Sequence, residues 1–240
     1  MKTKTIGKGY PKISYIINNW PKTKNILKKF IISNQKKPDL FLLTILCLNE
    51  LRVFKLDRYS KILKQMANIC SRNINFNTYH DQHHFKSVLI VSCILAKQVN
   101  LKYKDRILLA IIALTHDMNH QGRRVLIKEP YFQENKSYND LRRILFKKIL
   151  SHKELVRIKR IFQSTFFPVK PKNVVDDLEK IILDADILSS LMFGPEIGIK
   201  LAGRLKHEIR YNDETETLFK NFLKLLGDKS LYLDYSKKSC

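Results

Sequence analysis

Apolar residues recur at helical spacing along most of this chain, and no window alternates as a strand would. From Asp39 the pattern is sharp. Asp39 can cap a helix running to about residue 56, with Leu40, Leu43, Leu46, Leu51 and Phe54 apolar. Asp57 can cap the next, over 58–72, with Ile62, Leu63, Met66 and Ile69 inward. A polar connection over 73–78 leads to helices over 79–99 and 105–114. The second of these is an apolar run from Ile107 to Leu114. Periodicity lapses after Gly122 until about Ser137, with Pro130 inside the loop. It resumes over 138–150 with Ser137 as a cap, then over 153–166, 174–193, 195–211 and 214–226. Pro195 suits a first helical turn, and Gly227 ends the last long helix. The fold class expected is all-α: a single compact multi-helix domain over residues 38–240, with irregular packing rather than a simple bundle. Residues 1–37 read as a basic N-terminal arm with weaker spacing at Ile16, Ile17, Trp20, Leu27, Phe30 and Ile31. Such a segment either packs on the domain surface or lies on an anionic membrane.

Composition adds constraints. The chain has 240 residues, enough for one sizeable core, and only 7 Gly and 7 Pro, too few for a turn-rich all-β fold. Lys and Arg number 45 against 22 Asp and Glu, a formal net charge of +23. That balance points to an anionic partner, to solubility, or to biased base composition in the source. No nucleic-acid-binding motif accompanies it. The most apolar run, Leu40 to Leu48, falls far short of the roughly 20 residues that span a bilayer, so no transmembrane segment is expected. Cys47, Cys70, Cys93 and Cys240 form no CxxC pair, and the first residues lack an apolar signal core. Both observations suit a cytoplasmic protein with reduced thiols.

The chemistry concentrates in three stretches. Five of the 7 histidines lie in two of them: Tyr79-His80-Asp81-Gln82-His83-His84 and His116-Asp117-Met118-Asn119-His120-Gln121-Gly122. His80 and His84 are spaced to share a helix face, as are His116 and His120 if the turn continues past the apolar run. The third stretch places Asp184 and Asp186 inside an apolar helix, where one is expected to face inward and the other outward. Asp186 is open to two readings, a metal ligand or a buried ion pair with Lys or Arg. Together His84, His116, Asp117 and Asp186 make a two-His, two-Asp set from three helices, suited to Zn, Fe, Mn or Mg. Asp117 is placed to bridge two ions, and a hydroxide held between them would attack a phosphoester. His152 and His207 read as surface or capping residues. Arg123 and Arg124 either hold a substrate phosphate or are solvated loop charge. Phe166, Phe167 and Pro168 either close a helix end or line a base pocket.

At these residues the chain resembles the HD-domain metal-dependent phosphohydrolases, and within them the class I 3′,5′-cyclic-nucleotide phosphodiesterases. The family's Tyr-His-Asn-x-x-His-Ala-x-Asp-Val stands here as YHDQHHFKSV, and its His-Asp-x-x-His-Pro-Gly as HDMNHQG. An Ala185-Asp186-Ile187 stands where the family has Ala-Asp-Leu, and Tyr138-Asn139-Asp140 matches a further tripeptide. The resemblance covers about residues 40–226 and implies a PDEase-like all-α fold. It implies two divalent metal ions: Zn or Fe held tightly by His84, His116, Asp117 and Asp186, and Mg or Mn reached through the Asp117 bridge. It implies His80 as general acid and His120 orienting metal-bound water, with a small anionic nucleotide as substrate; Tyr79 is a candidate to meet it, as are Arg123 and Arg124 if they hold its phosphate rather than stand as solvated loop charge. A phosphodiester hydrolase acting on a cyclic nucleotide is the expected activity. An HD-type phosphomonoesterase, a nucleoside-polyphosphate hydrolase and a non-catalytic ligand-binding relative are the alternatives. The chain departs from the pattern at Asp81, Ser87 and Gln121, and LRRILFKK follows Asp140 where the family has Glu-Asn-His-His. That Glu steadies the acid His and water in the family. No Gln-x-x-Phe purine clamp stands near the C-terminus.

Overall fold

The structure is a computed structural model that describes residues 12–33, 36–72, 77–122, 130–145, 149–166, 174–227 and 231–238. Every element among them is a helix, as the periodicity leads one to expect. In order they are α1 (Ile13–Asn18), α2 (Lys24–Ile32), α3 (Leu40–Glu50), α4 (Ser60–Cys70), α5 (Gln82–Ala96), α6 (Tyr103–Thr115), α7 (Phe132–Ile144), α8 (His152–Ser164), α9 (Asp177–Leu191), α10 (Pro195–Ile209), α11 (Thr215–Leu226) and α12 (Asp234–Lys237).

Two helices form the interior. α5 is buried from His84 through Ala96, and α6 from Ile107 through Thr115. Helices apolar on every side belong at the centre of a core. α5 lies against α3, α6 and α9, while α4 and α7 close over α6. Helices with one apolar stripe form the outer layer: α4 turns Leu63, Met66, Ala67 and Cys70 inward, and α8 turns Ile158, Ile161 and Phe162. α10 packs on α9, and α11 on α10. Within the basic N-terminal stretch, α1 and α2 sink Ile13, Ile16, Leu27 and Phe30 into this same core. Among the described residues no helix is long and apolar enough to cross a membrane. Cys47, Cys70 and Cys93 are buried free thiols.

Several element boundaries differ from the pattern: α3 ends at Glu50 rather than 56, α4 begins at Ser60 without a cap from Asp57, and three further differences position the site. α5 begins at Gln82 rather than 79, because the Asp81 carboxylate accepts from the amides of His83 and His84 and caps it. α6 ends at Thr115, and Asn119 takes a left-handed conformation (φ 58°) that turns the chain away. α7 begins at Phe132, so Ser137 is an interior residue and not a cap. Its buried hydroxyl donates to the Met118 carbonyl, tying α7 to the turn after α6.

Candidate metal centre

The C-terminal end of α6, the start of α5 and the middle of α9 meet at one point. His84 Nε2 and His116 Nε2 lie 3.4 Å apart. Asp117 Oδ2 is 3.2 Å from the first and 3.1 Å from the second. Asp186 Oδ1 is 3.5 Å from His84 Nε2 and 3.8 Å from His116 Nε2. Both imidazoles are buried, and the Asp117 side chain is 17% exposed. Donor atoms bound tetrahedrally at about 2.1 Å from an ion would lie about 3.4 Å from one another. The observed spacings of 3.1 to 3.8 Å bracket that value. Two imidazole nitrogens and two carboxylate oxygens facing one space form a set that a divalent cation would complete, so these residues fit a metal.

The charges support this. Burial works against an imidazolium at His116, but the Asp117 and Asp186 carboxylates outweigh it and raise its pKa well above the usual value. Burial alone would push the Asp117 carboxyl up; His116 and His80 overcome it and hold the group well below the carboxylate range. Among the described residues the ion-pair neighbours of Asp186 are thus two histidines, and not a Lys or Arg. The neighbouring acid Asp184 has another task. It is fully buried and accepts from the amides of Tyr232 and Leu233, at 2.8 and 2.9 Å, which fastens the C-terminal segment to α9.

A second group stands beside the first. His80 lies before the α5 cap, so it does not share a helical face with His84, yet the two rings come within 5.5 Å. Likewise the turn after α6 breaks the shared face of His116 and His120. The ring of His120 stacks instead on His80, with centroids 3.7 Å apart. Both imidazoles address one carboxylate, Glu208 of α10. His80 Nδ1 is 2.6 Å and His120 Nδ1 3.2 Å from Glu208 Oε1. Oε2 of the same group accepts from the amides of Tyr79 and His80 at 2.7 and 3.0 Å. Burial would raise the Glu208 pKa; hydrogen bonds from the two histidines hold it far below the usual range. At His120 burial works against the imidazolium, but the Glu208 hydrogen bond and the Asp117 and Glu208 charges together outweigh it and raise the pKa. At His80 burial and the neighbouring His120 lower it, against Asp117 and Glu208. With Nδ1 on Glu208, His80 turns Nε2 toward the first group, 3.7 Å from Asp117 Oδ2.

Around this core, Tyr79 stacks edge-on to His80, and its hydroxyl hydrogen-bonds the Ser190 hydroxyl at 2.6 Å. Asp140 accepts from Asn119 at 2.8 Å and steadies the turn that carries His120. Sequence reasoning missed two acids. Glu208 stands alone among basic neighbours near the end of α10, with nothing in its spacing to mark it. Glu134 stands in a Glu-Asn pair ahead of Tyr138, where the pattern read as loop. Burial, with the Asp117 charge added, pushes the Glu134 carboxyl up to about 7, and one of its oxygens has no hydrogen-bond partner among the described residues. His207 is exposed and His152 opens α8 at the surface. Arg123, Arg124, Phe167 and Pro168 lie outside the described residues. The chain finds no match among protein-family models, curated proteins or solved structures, so its function has to be read from these residues.

Proposed function

We propose that this protein is a metal-dependent phosphodiester hydrolase, with a 3′,5′-cyclic nucleotide as its substrate. One observation carries the reading: an imidazole held by a buried carboxylate, His80 on Glu208, turns its free nitrogen onto a four-donor group that fits a divalent ion. Divalent ions bound there would supply an activated water and neutralise charge on the phosphoryl oxygens. His84, His116, Asp117 and Asp186 would hold the ions. Glu208 fixes the His80 ring so that Nε2 faces the reacting phosphate and can hand a proton to the leaving oxygen. Burial keeps the free imidazole from protonating easily. An arriving phosphodiester anion works in the opposite direction and favours the imidazolium where it is needed. Glu208 thus supplies, from α10, the carboxylate support that the stretch after Asp140 lacks.

The test is hydrolysis of 3′,5′-cyclic AMP and cyclic GMP by purified protein with added Mg or Mn, beside an Asp117→Ala variant. Turnover is expected in the wild type and a loss of at least about 100-fold in the variant, since even outer-shell changes at metal sites reach that size. A folded, metal-loaded protein that cleaves neither nucleotide would refute the substrate assignment. Release of phosphate from nucleoside mono- or polyphosphates instead would move the site to those esters.

A further inference from the structure

α6 has two chemically different ends. Its C-terminal end carries His116. Its N-terminal end, about 20 Å away by helical rise, borders a cavity of about 640 Å³ lined by Arg52, Lys55, Arg58 and Lys104, by the exposed aromatic residues Phe54 and Tyr103 and the buried Tyr59, and by one acid, Asp57. Ligand pockets for small molecules run from about 300 to 1,000 Å³. Lys104 is engaged by Glu154 at 2.6 Å. Arg52, Lys55 and Arg58 are exposed, and none of them is in an ion pair among the described residues.

The segment between α3 and α4 is held in shape while it presents these groups. Leu51, Val53, Leu56 and Tyr59 are buried, and the intervening Arg52, Phe54, Lys55 and Arg58 point outward. The Val53 amide donates to the Leu48 carbonyl at 2.9 Å, and Arg106 donates to the Leu51 carbonyl at 2.8 Å. The Tyr103 hydroxyl donates to the Lys55 carbonyl at 3.2 Å, which sets the ring at the cavity wall. Arg52 sits in the left-handed region (φ 59°), a conformation that a side chain of this size adopts only where its surroundings impose it. Phe54 is 71% exposed on this braced segment, and Tyr103 is 47% exposed. An exposed aromatic pair beside unpaired cations in a preformed cavity has a specific complement: a flat aromatic group joined to several negative charges.

We propose that this cavity is a second binding site, separate from the metal centre, for a nucleoside di- or triphosphate. The base stacks on Phe54 or Tyr103, and the phosphates meet Arg52, Lys55 and Arg58. The site needs neither the metal ligands nor Glu208, so it stands or falls independently of the hydrolase reading.

The experiment is titration calorimetry of the whole protein with ATP as probe, with adenosine and inorganic triphosphate as controls for each half of the ligand. Three proteins are compared: wild type, Asp117→Ala, and the exposed-site variant Phe54→Ala/Arg58→Glu. Binding of ATP is expected in wild type and in Asp117→Ala alike. It is expected to weaken at least tenfold in the exposed-site variant, whose thermal melting checks that it stays folded. Adenosine and triphosphate alone are each expected to bind at least tenfold more weakly than ATP. Undiminished ATP binding in the exposed-site variant, or loss of it in Asp117→Ala, would overturn the proposal. Equal affinity for triphosphate and ATP would reduce the site to a charge patch and overturn it too. A single-stranded RNA oligonucleotide binding more tightly than ATP through Phe54 and Arg58 would replace the proposed ligand by nucleic acid.

Discussion

Two groups of histidines and carboxylates lie side by side in this protein, and they are built on opposite principles. In the first, His84, His116, Asp117 and Asp186 bring four donor atoms to one space, and among the described residues the carboxylates meet only imidazole nitrogens there. In the second, Glu208 is 3% exposed and spends its oxygens on two imidazoles and two backbone amides. The residue types are the same. The first group is left short of positive charge and would be completed by a cation. The second is satisfied internally and holds its rings in place. On the proposed function the first would hold an ion and the second would mount a proton donor, and substitutions should separate them.

The largest effect is expected in the first group. His116→Ala removes a buried donor from the four and should weaken metal binding by at least about 100-fold. Metal content after dialysis, read by elemental analysis, checks this. Full retention of metal by a folded His116→Ala protein would break the distinction between the groups. Next comes Glu208→Gln. Its side chain keeps the volume but loses the charge that holds His80 and His120. Metal content should stay at the wild-type level while cyclic-nucleotide turnover falls by about 100-fold, the usual range for a misdirected acid. The limb of the pH profile that reports His80 should also shift, which a general loss of structure would not produce. Loss of metal together with turnover would show that the two groups act as one.

Much of the first group was legible because its members announce themselves in short spans: His-Asp together, a His cluster beside a cap, an acid inside an apolar helix. Of the second group only His80 and His120 were legible; Glu208, which joins them, was not. His80 and Glu208 stand 128 residues apart, and no periodicity links the end of α10 to the residue before the α5 cap. The i,i+4 spacings of His80 with His84 and of His116 with His120 suggested shared faces. Each pair is instead split by a helix end, made by the Asp81 cap in one case and the Asn119 turn in the other. Those ends send His80 and His120 to the second group and leave His84 and His116 in the first. Helix identity followed from apolar spacing, whereas the ends depended on single side-chain bonds that spacing does not encode.

The acids of α9 divide in the same manner. Asp184 accepts one amide on each oxygen, whereas Asn offers a single acceptor and would turn its NH2 toward the second amide. Asp184→Asn is therefore expected to cost about 1–3 kcal/mol of stability, measured by urea denaturation, with metal content unchanged. Asp186→Asn should do the reverse and lower metal affinity with little change in stability. Equal stability losses in the two variants would mean that α9 does not separate an anchoring acid from a ligand.

The smallest effect is expected at an acid that belongs to neither group. Asp176 caps α9 through the Leu178 amide and accepts two bonds from Arg157, each 2.7 Å, well away from the histidines. Burial would raise its pKa; the Arg157 hydrogen bonds and charge outweigh burial and lower it. A carboxyl depressed in the folded state adds stability above its unfolded pKa of about 3.9 and loses that contribution as pH falls from there through the folded value. Asp176→Asn should therefore be less stable than wild type by about 1–2 kcal/mol at pH 7, between the range for exposed pairs and that for charged hydrogen bonds. The gap should close as the pH falls below about 4. Urea titrations at a series of pH values measure it, and metal content serves as the control that should not move. A gap that stays constant into acid would assign the loss to packing at the cap rather than to the ion pair. Asp176 would then cease to be the purely electrostatic reference against which the two histidine groups are set.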